Sequence, residues 1–231
     1  MMDTFKADGC LILRDVLTGA DLHGVENLIL SEVHKYVPEA TGINDRVWVD
    51  HAIKHPDTIS KMYDAVRDAD EALRLGQVAS LVDTIKSLME EPMLYNKVPL
   101  RIDVPFVNKE LAFWHQDDFY VQGNARELTV WIPLQDTKAH HGALSVMKGS
   151  HKSGPIPHTL KVGKKTLPEG IFENPVNIVE MNRGDVLIFS SYLVHSSNLN
   201  VSDAIRYSIQ LRYSDASAGA HSSLMKGVSR V

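Results

Sequence analysis

Apolar residues return every three or four positions as far as Pro92, and at every second position from Met93 onward. The first helical run follows Thr18, a residue type that caps helices, and extends from about Ala20 to Tyr36. Leu22, Val25, Ile29 and Val33 form its stripe, and Pro38 stops it. Two further runs span Thr58 to Asp68, with Ile59, Met62 and Val66, and Gln77 to Glu90, with Val78, Leu81, Val82, Ile85, Leu88 and Met89. These stripes predict helices packed on a sheet. A short strand, Cys10 to Leu13, comes before them. Asp45 to Pro56 reads as a surface loop anchored by Trp48, with Trp48 and His51 lining a pocket as the alternative.

Beyond Met93 the pattern predicts strands at Leu94–Val98, around Phe113–Asp118, at Leu128–Leu134 with Pro133 near its end, from Asp185 to His195, and over Ile205–Tyr213. In the last of these, Ile205, Tyr207, Ile209, Leu211 and Tyr213 share one face, and Arg206, Ser208, Gln210 and Arg212 share the other. Residues 154–175 carry four prolines (Pro155, Pro157, Pro168, Pro175) with Gly163 and Gly170, which predicts a loop or lid and the first place for substrate contacts. With no internal repeat and no linker, the chain reads as one domain, 1–231. Residues 1–92 form a mostly helical buttress, 93–215 an antiparallel β core, and 216–231 a small polar tail that is either a flexible end or folds over the mouth. The fold class is mainly β with N-terminal helices, α+β.

Composition narrows the function classes. At 231 residues, 44% hydrophobic and 23% charged, the chain can bury one sizeable core. A net charge of −5 carries no phosphate-binding footprint, so nucleic acid is not expected as a partner. The single Cys10 excludes an internal disulfide and fits a reducing compartment. No apolar run is long enough to span a membrane and the opening Met1–Lys6 is not a secretory signal, so a cytoplasmic enzyme with no membrane partner is expected.

The candidate chemistry starts at His115 and Asp117. On a strand, residues two apart point the same way, so an imidazole and a carboxylate can reach one ion. His195 is the best third ligand, because it closes an apolar strand where polarity returns at Ser196-Ser197-Asn198. Two histidines and a carboxylate with open positions suit non-haem Fe(II), and zinc hydrolases use the same set. His140 and His141 are adjacent, so both cannot easily hold one ion, and they read as loop. His151 reads as a turn residue. Arg206 follows His195 by 206 − 195 = 11 residues. An arginine directed into a cavity wants a carboxylate, and with no acidic residue evidently assigned to it, a dicarboxylate cosubstrate is the natural partner.

Together these motifs resemble the phytanoyl-CoA dioxygenase-like Fe(II)/2-oxoglutarate oxygenases. The resemblance rests on His115-Gln116-Asp117, Gly142 to Lys152, Gly184 to Phe189, His195 to Asn198 with Arg206, and the opening Phe5 to Leu17. One departure is Met147-Lys148, where the family usually has a proline before the Gly-Ser-His. The resemblance implies a jelly-roll (double-stranded β-helix) core, with Fe(II) on His115, Asp117 and His195 and the distal carboxylate of 2-oxoglutarate on Arg206. On the Leu94–Val98 strand Asn96 or Lys97 points into the cavity, and the resemblance makes Lys97 a polar contact to the cosubstrate, the alternative being a solvated lysine on an edge; Trp131 is a wall against the cosubstrate, or else core. Ser197 is a donor to the cosubstrate carboxylate, or else a local turn partner. Asp117 implies hydroxylation, or another two-electron oxidation, rather than halogenation, because related halogenases have a non-ligating residue there. The expected partners are a small-molecule substrate and O2, with Phe119, Tyr120, Arg126 and Trp48 as candidate substrate contacts. A catalytically silent binding protein of this fold, and a cupin-type metalloenzyme not using 2-oxoglutarate, stand as alternatives. Substrate identity and oligomeric state are not written in the sequence.

Overall fold

The computed structural model describes residues 1–67, 69–107, 112–161, 164–168, 170, 173–225 and 227–231. Helix α1 (Met2–Asp8) leads into β1 (Cys10–Leu13). Thr18 then closes a capping box, accepting from Asp21 N while the Asp21 carboxylate accepts from Thr18 N at 2.7 Å. That satisfies two otherwise orphaned amides and starts α2 (Gly19–Val33), which buries Leu22, Val25, Ile29 and Val33. The helix stops short of Tyr36. Lys35 and Tyr36 bond three residues back instead of four, a tightened final turn ahead of Pro38.

The stretch expected to be a loop is instead α3 (Arg46–Lys54). Asp45 caps it by accepting from Val47 N, and Trp48, Val49 and Ala52 are buried. Trp48 belongs to the core, where its indole donates to the Tyr207 hydroxyl at 2.8 Å. Helix α4 (Pro56–Val66) starts on a proline, whose missing N–H is harmless in the first turn. Asp68, the expected end of this run, lies outside the described residues. The short α5 (Asp70–Leu75) was not expected, and α6 (Ala79–Leu88) falls within the third predicted run. No helix among the described residues is long and apolar enough to cross a membrane.

The strands are β2 (Pro92–Tyr95), β3 (Leu100–Asp103), β4 (Leu128–Pro133), β5 (Ser145–Met147), β6 (Thr159–Lys161), β7 (Lys164–Thr166), β8 (Val176–Ile178), β9 (Val186–Ser190), β10 (His195–Ser196), β11 (Arg206–Asp215) and β12 (Val228–Arg230), with the single-turn helix α7 (Asp118–Val121) between β3 and β4. One antiparallel sheet runs β1-β9-β4-β11-β2-β12, with β3 also paired to β11. The second runs β10-β5-β8, and β6 and β7 form a hairpin.

Strand alternation sorts the side chains of the large sheet into two cores. Val130 and Ile132 of β4, Val186 and Ile188 of β9, and Tyr207, Ile209, Leu211 and Tyr213 of β11 pack against the helices. Trp131, Leu187 and Phe189 face the other way and pack with Val146 of the smaller sheet and with Leu144, which immediately precedes β5. Full burial of each such aliphatic side chain contributes about 1.5–3 kcal/mol. The result is a helical layer on a jelly roll, with the functional face of β4, β9 and β11 turned between the two sheets. The turn into β9 depends on Gly184, at φ +97°, where a Cβ would lie 2.6 Å from the Leu17 carbonyl oxygen.

Two segments expected to be irregular are anchored. The tail docks as β12 on β2, and Ser222 N donates to the Tyr95 hydroxyl at 2.8 Å. Gly154 and Ile156 are held by Gln116, whose side chain donates to Gly154 O (2.9 Å) and Tyr192 O (2.7 Å) and accepts from Ile156 N (2.8 Å). The lid expected over 154–175 also includes residues 162, 163, 169, 171 and 172, which lie outside the described residues.

Candidate metal centre

His115 and His195 face one another in an isolated antiparallel bridge. His115 N donates to His195 O at 2.9 Å and His195 N returns a bond to His115 O at 3.0 Å. Beyond this bridge the chain does not continue as a strand. Asp117 is already in the right-handed helical region (φ −66°, ψ −30°) at the start of α7, where its carbonyl accepts from Tyr120 N and Val121 N. Strand alternation is therefore not what aims the carboxylate; a bridge followed by a helical turn does so. The ligand atoms of His115, Asp117 and His195 lie within 4.8 Å of one another, and all three residues are buried. Nε2 of His115 is 3.8 Å and Nε2 of His195 is 3.9 Å from Asp117 Oδ1. Among the described residues this is the one such group; His140 and His141 lie tilted against each other instead, with ring centroids 4.0 Å apart.

The protonation states suit a cation. Nδ1 of His115 lies 2.6 Å from Phe113 O, and Nδ1 of His195 lies 3.0 Å from Leu193 O. A carbonyl can only accept, so each Nδ1 carries the proton and each Nε2 presents a lone pair. Burial, reinforced by the neighbouring imidazole, pushes His115 down to about 3, and burial likewise lowers His195. Burial alone would raise the Asp117 carboxyl, but Arg212 and the two imidazoles outweigh it and hold the group below the usual carboxylate range. Two neutral imidazoles and one ionised carboxylate can take up a metal without first losing protons.

Arg212 is the functional residue that the sequence did not single out. In the register of β11 on β4 it stands opposite Thr129, and both reach Asp117. Arg212 Nη1 is 2.5 Å and Thr129 Oγ1 2.6 Å from Asp117 Oδ2, while Arg212 Nη2 is 3.2 Å from Oδ1. Oδ2 thus accepts two short hydrogen bonds, and Oδ1, with one longer bond from Arg212, faces the imidazoles. The only sequence signal for this was the shared face of Arg206, Ser208, Gln210 and Arg212.

A cavity of about 240 Å³ opens beside the three donors, and Trp131, Ser197, Tyr120, Gln210, Arg212 and Arg101 form part of its wall. Trp131 and Ser197 thus border the cavity. Lys97 does not: it falls in the connection between β2 and β3, outside the lining, and the basic residue that β3 supplies is Arg101. Arg206 is buried behind the wall, its guanidinium carbon 5.8 Å from the Trp131 ring centroid. An acidic residue is assigned to it after all, since Nη2 lies 2.6 Å from Asp103 Oδ2 and Nη1 donates to Gly142 O. Tyr120 stands edge-on to His115 with centroids 5.5 Å apart, and Phe119 packs on His158. Arg126 lies away from the cavity, paired with Glu90 (2.9 Å) and Asp215 (3.0 Å).

Near the site, the Tyr95 hydroxyl donates to Glu127 Oε1, while the buried Oε2 lacks a hydrogen-bond partner. Burial raises this carboxyl from 4.5 to about 7. A carboxyl raised on folding contributes stability that is fully present below its unfolded value and is lost as pH rises through the folded one. Glu127→Gln is therefore expected to flatten the fall in melting temperature between pH 4.5 and about 7. A wild-type slope retained in the variant would assign the dependence elsewhere.

The family model for phytanoyl-CoA dioxygenase matches residues 5–208 of this chain. A 1-deoxypentalenic acid 11-beta-hydroxylase of Streptomyces arenae is 34% identical over 116 residues, a match spanning 45% of this chain and only 41% of that enzyme's own length. The peroxisomal phytanoyl-CoA dioxygenase of Homo sapiens is 25% identical over 98% of this chain and 70% of its own. Among solved structures, the apo form of the non-heme monooxygenase ThoJ superposes with a TM-score of 0.69 at 21% identity, covering 95% of this chain and 78% of that one. EctD from S. alaskensis, solved with 2-oxoglutarate and 5-hydroxyectoine, gives a TM-score of 0.67 at 18% identity, covering 96% and 78%. With a family model matching most of its length, the chain belongs to the phytanoyl-CoA dioxygenase family.

Proposed function

We propose that this protein is a non-haem Fe(II)- and 2-oxoglutarate-dependent dioxygenase that hydroxylates a C–H bond of a small molecule, with release of succinate and CO2. The observation that carries the reading is the buried convergence of His115, Asp117 and His195 at the base of a cavity. The donor set fits the metal: two imidazole nitrogens and one carboxylate oxygen, already deprotonated, leave the cavity side of the ion open. Bound there, Fe(II) would supply the redox centre at which O2 is activated as 2-oxoglutarate is oxidatively decarboxylated.

The rest is the work of the chain. Arg212 Nη1 and Thr129 hold Oδ2 of Asp117, while Oδ1, which accepts the longer bond from Arg212 Nη2, faces the two imidazoles and would meet the ion. Trp131 closes one wall, and Ser197 offers a hydroxyl to a carboxylate. The carboxylate at 117 favours hydroxylation over halogenation, since no ligand position is vacated for a halide. Support for a carbon-hydroxylating role also comes from the relatives, which include 1-deoxypentalenic acid hydroxylases and a phytanoyl-CoA dioxygenase.

The test is anaerobic calorimetry with Fe(II) followed by 2-oxoglutarate, then succinate formation on admitting O2 and a metabolite library. Saturable binding of both and substrate-stimulated succinate are expected. Metal binding without any 2-oxoglutarate binding would instead favour a cupin-type enzyme, a reading that draws some support from Arg206 being engaged by Asp103. Arg206→Ala is expected to weaken 2-oxoglutarate binding by at least about tenfold, the loss of one charge-assisted pair, while Fe(II) binding stays within about twofold. Equal loss of both would make Arg206 a support of the fold.

A further inference from the structure

Antiparallel pairing of β3 with β11 sets Asp103 opposite Arg206 and Arg101 opposite Ser208, so three charged side chains share one face. Asp103 stands between the two arginines. Its Oδ2 is 2.6 Å from Arg206 Nη2, and its Oδ1 is 3.5 Å from Arg101 Nη2. Burial opposes ionisation of this carboxyl, but Arg206 and then Arg101 outweigh it, and the group is charged. Its main chain is fixed, since Asn200 Nδ2 donates to Asp103 O at 2.8 Å, so any movement is a side-chain rotation.

We infer that Asp103 is a specificity-determining residue: it competes with the distal carboxylate of the cosubstrate for Arg206 and shifts to Arg101 when that carboxylate arrives. This rests on the 2-oxoglutarate reading given above. Three observations favour competition over a purely supporting role. Arg206 is absent from the cavity wall while Arg101 is part of it, so the arginine required by a dicarboxylate is held back by an anion of the same chemistry. Arg206 Nε is buried with no hydrogen-bond partner, which leaves donor capacity for a second carboxylate. Asp103 already has its alternative cation in reach, so releasing Arg206 does not strand a buried charge.

The consequence is a discount on affinity. A ligand that binds only the released form of Arg206 sees its apparent affinity reduced by the fraction of molecules in that form. A 2-oxo acid lacking the distal carboxylate is indifferent to it. Asp103 therefore sets the margin by which a dicarboxylate is preferred.

The experiment compares Fe(II)-loaded wild type and Asp103→Asn by anaerobic calorimetry with 2-oxoglutarate and with 2-oxobutyrate, alongside metal-free melting temperatures. Asp103→Asn is expected to bind 2-oxoglutarate at least about tenfold more tightly with 2-oxobutyrate unchanged, to melt lower without ligand, and to be stabilised more by 2-oxoglutarate than wild type is. Unchanged or weaker 2-oxoglutarate binding by a folded Asp103→Asn overturns the inference and leaves Asp103 as a structural partner of Arg206. If that variant does not fold, Asp103→Ser serves, because it also removes the competing anion. The expectation is again tighter 2-oxoglutarate binding, by about tenfold, with 2-oxobutyrate unchanged, and no tightening overturns the inference. Should wild type bind 2-oxoglutarate no better than 2-oxobutyrate, the cosubstrate reading itself fails and this inference with it. If wild type discriminates and Asp103→Asn does not sharpen the difference, only the inference fails.

Discussion

His195→Ala is expected to lower Fe(II) affinity by on the order of 100-fold or more, beyond what loss of a group merely supporting a ligand produces, while the protein stays folded. The fold should survive because the bonds that join His195 to His115 are backbone bonds, which alanine also makes. What is lost is the packing of the imidazole against Phe189, whose ring centroid is 4.7 Å away, and the Nδ1 bond to Leu193 O. Equilibrium dialysis of Fe(II) under anaerobic conditions measures the affinity, and circular dichroism checks the fold. A folded variant that keeps wild-type affinity would remove His195 from the metal site.

The same substitution has a signature in acid. Each imidazole has a folded pKa below its ordinary value, so the unfolded chain binds more protons. Their contribution is present above 6.5 and is lost as pH falls, for His115 towards about 3. Metal-free wild type should therefore lose stability across that window, and His195→Ala should lose less.

Arg212→Met is expected to destabilise the metal-free protein by about 3–5 kcal/mol, the usual cost of leaving one member of a buried ion pair unpaired. Methionine fills similar volume, so the loss is chiefly electrostatic: Asp117 would stay buried with only Thr129 and the neutral imidazoles around it. A divalent cation replaces the missing positive charge. The variant should accordingly gain more in melting temperature from Fe(II) than wild type does. Thermal melts with and without metal decide this. If the variant melts like wild type in the absence of metal, the Arg212–Asp117 contact is not what neutralises the carboxylate.

Local patterns were legible where a single period runs long enough. The cap at Thr18 and the stripe Leu22, Val25, Ile29 and Val33 produced α2, and the alternation from Ile205 to Tyr213 sorted both faces of β11 correctly. Helix α3 was missed even though Asp45 carries a cap signal, because its apolar residues do not form one stripe: Trp48, Val49 and Ala52 are buried, whereas Val47 and Ile53 are exposed. Helix α5 is too short for any period to show. In the site, spacing suggested that His115 and Asp117 face one ion, but by strand alternation, whereas Asp117 is helical. The pairing of Arg206 with Asp103 was not legible. It spans 103 residues and depends on β3, four residues caught between Pro99 and Pro105, for which a linear pattern carries almost no signal. Arg212 was on the right face but unassigned for the same reason, since its partners Asp117 and Thr129 are brought to it only by the sheet.

The reciprocal amide bonds between His115 and His195 divide labour within the centre. Because main chain alone sets the separation of the two imidazoles, substitutions around the cavity can reshape what is bound there without disturbing that half of the coordination sphere. The carboxylate has no such insulation: it hangs from a separate turn and answers to a guanidinium on another strand. Adaptation of this scaffold to a new metal or a new oxidant would therefore be written at 117, 129 and 212, and the histidines would stay as they are.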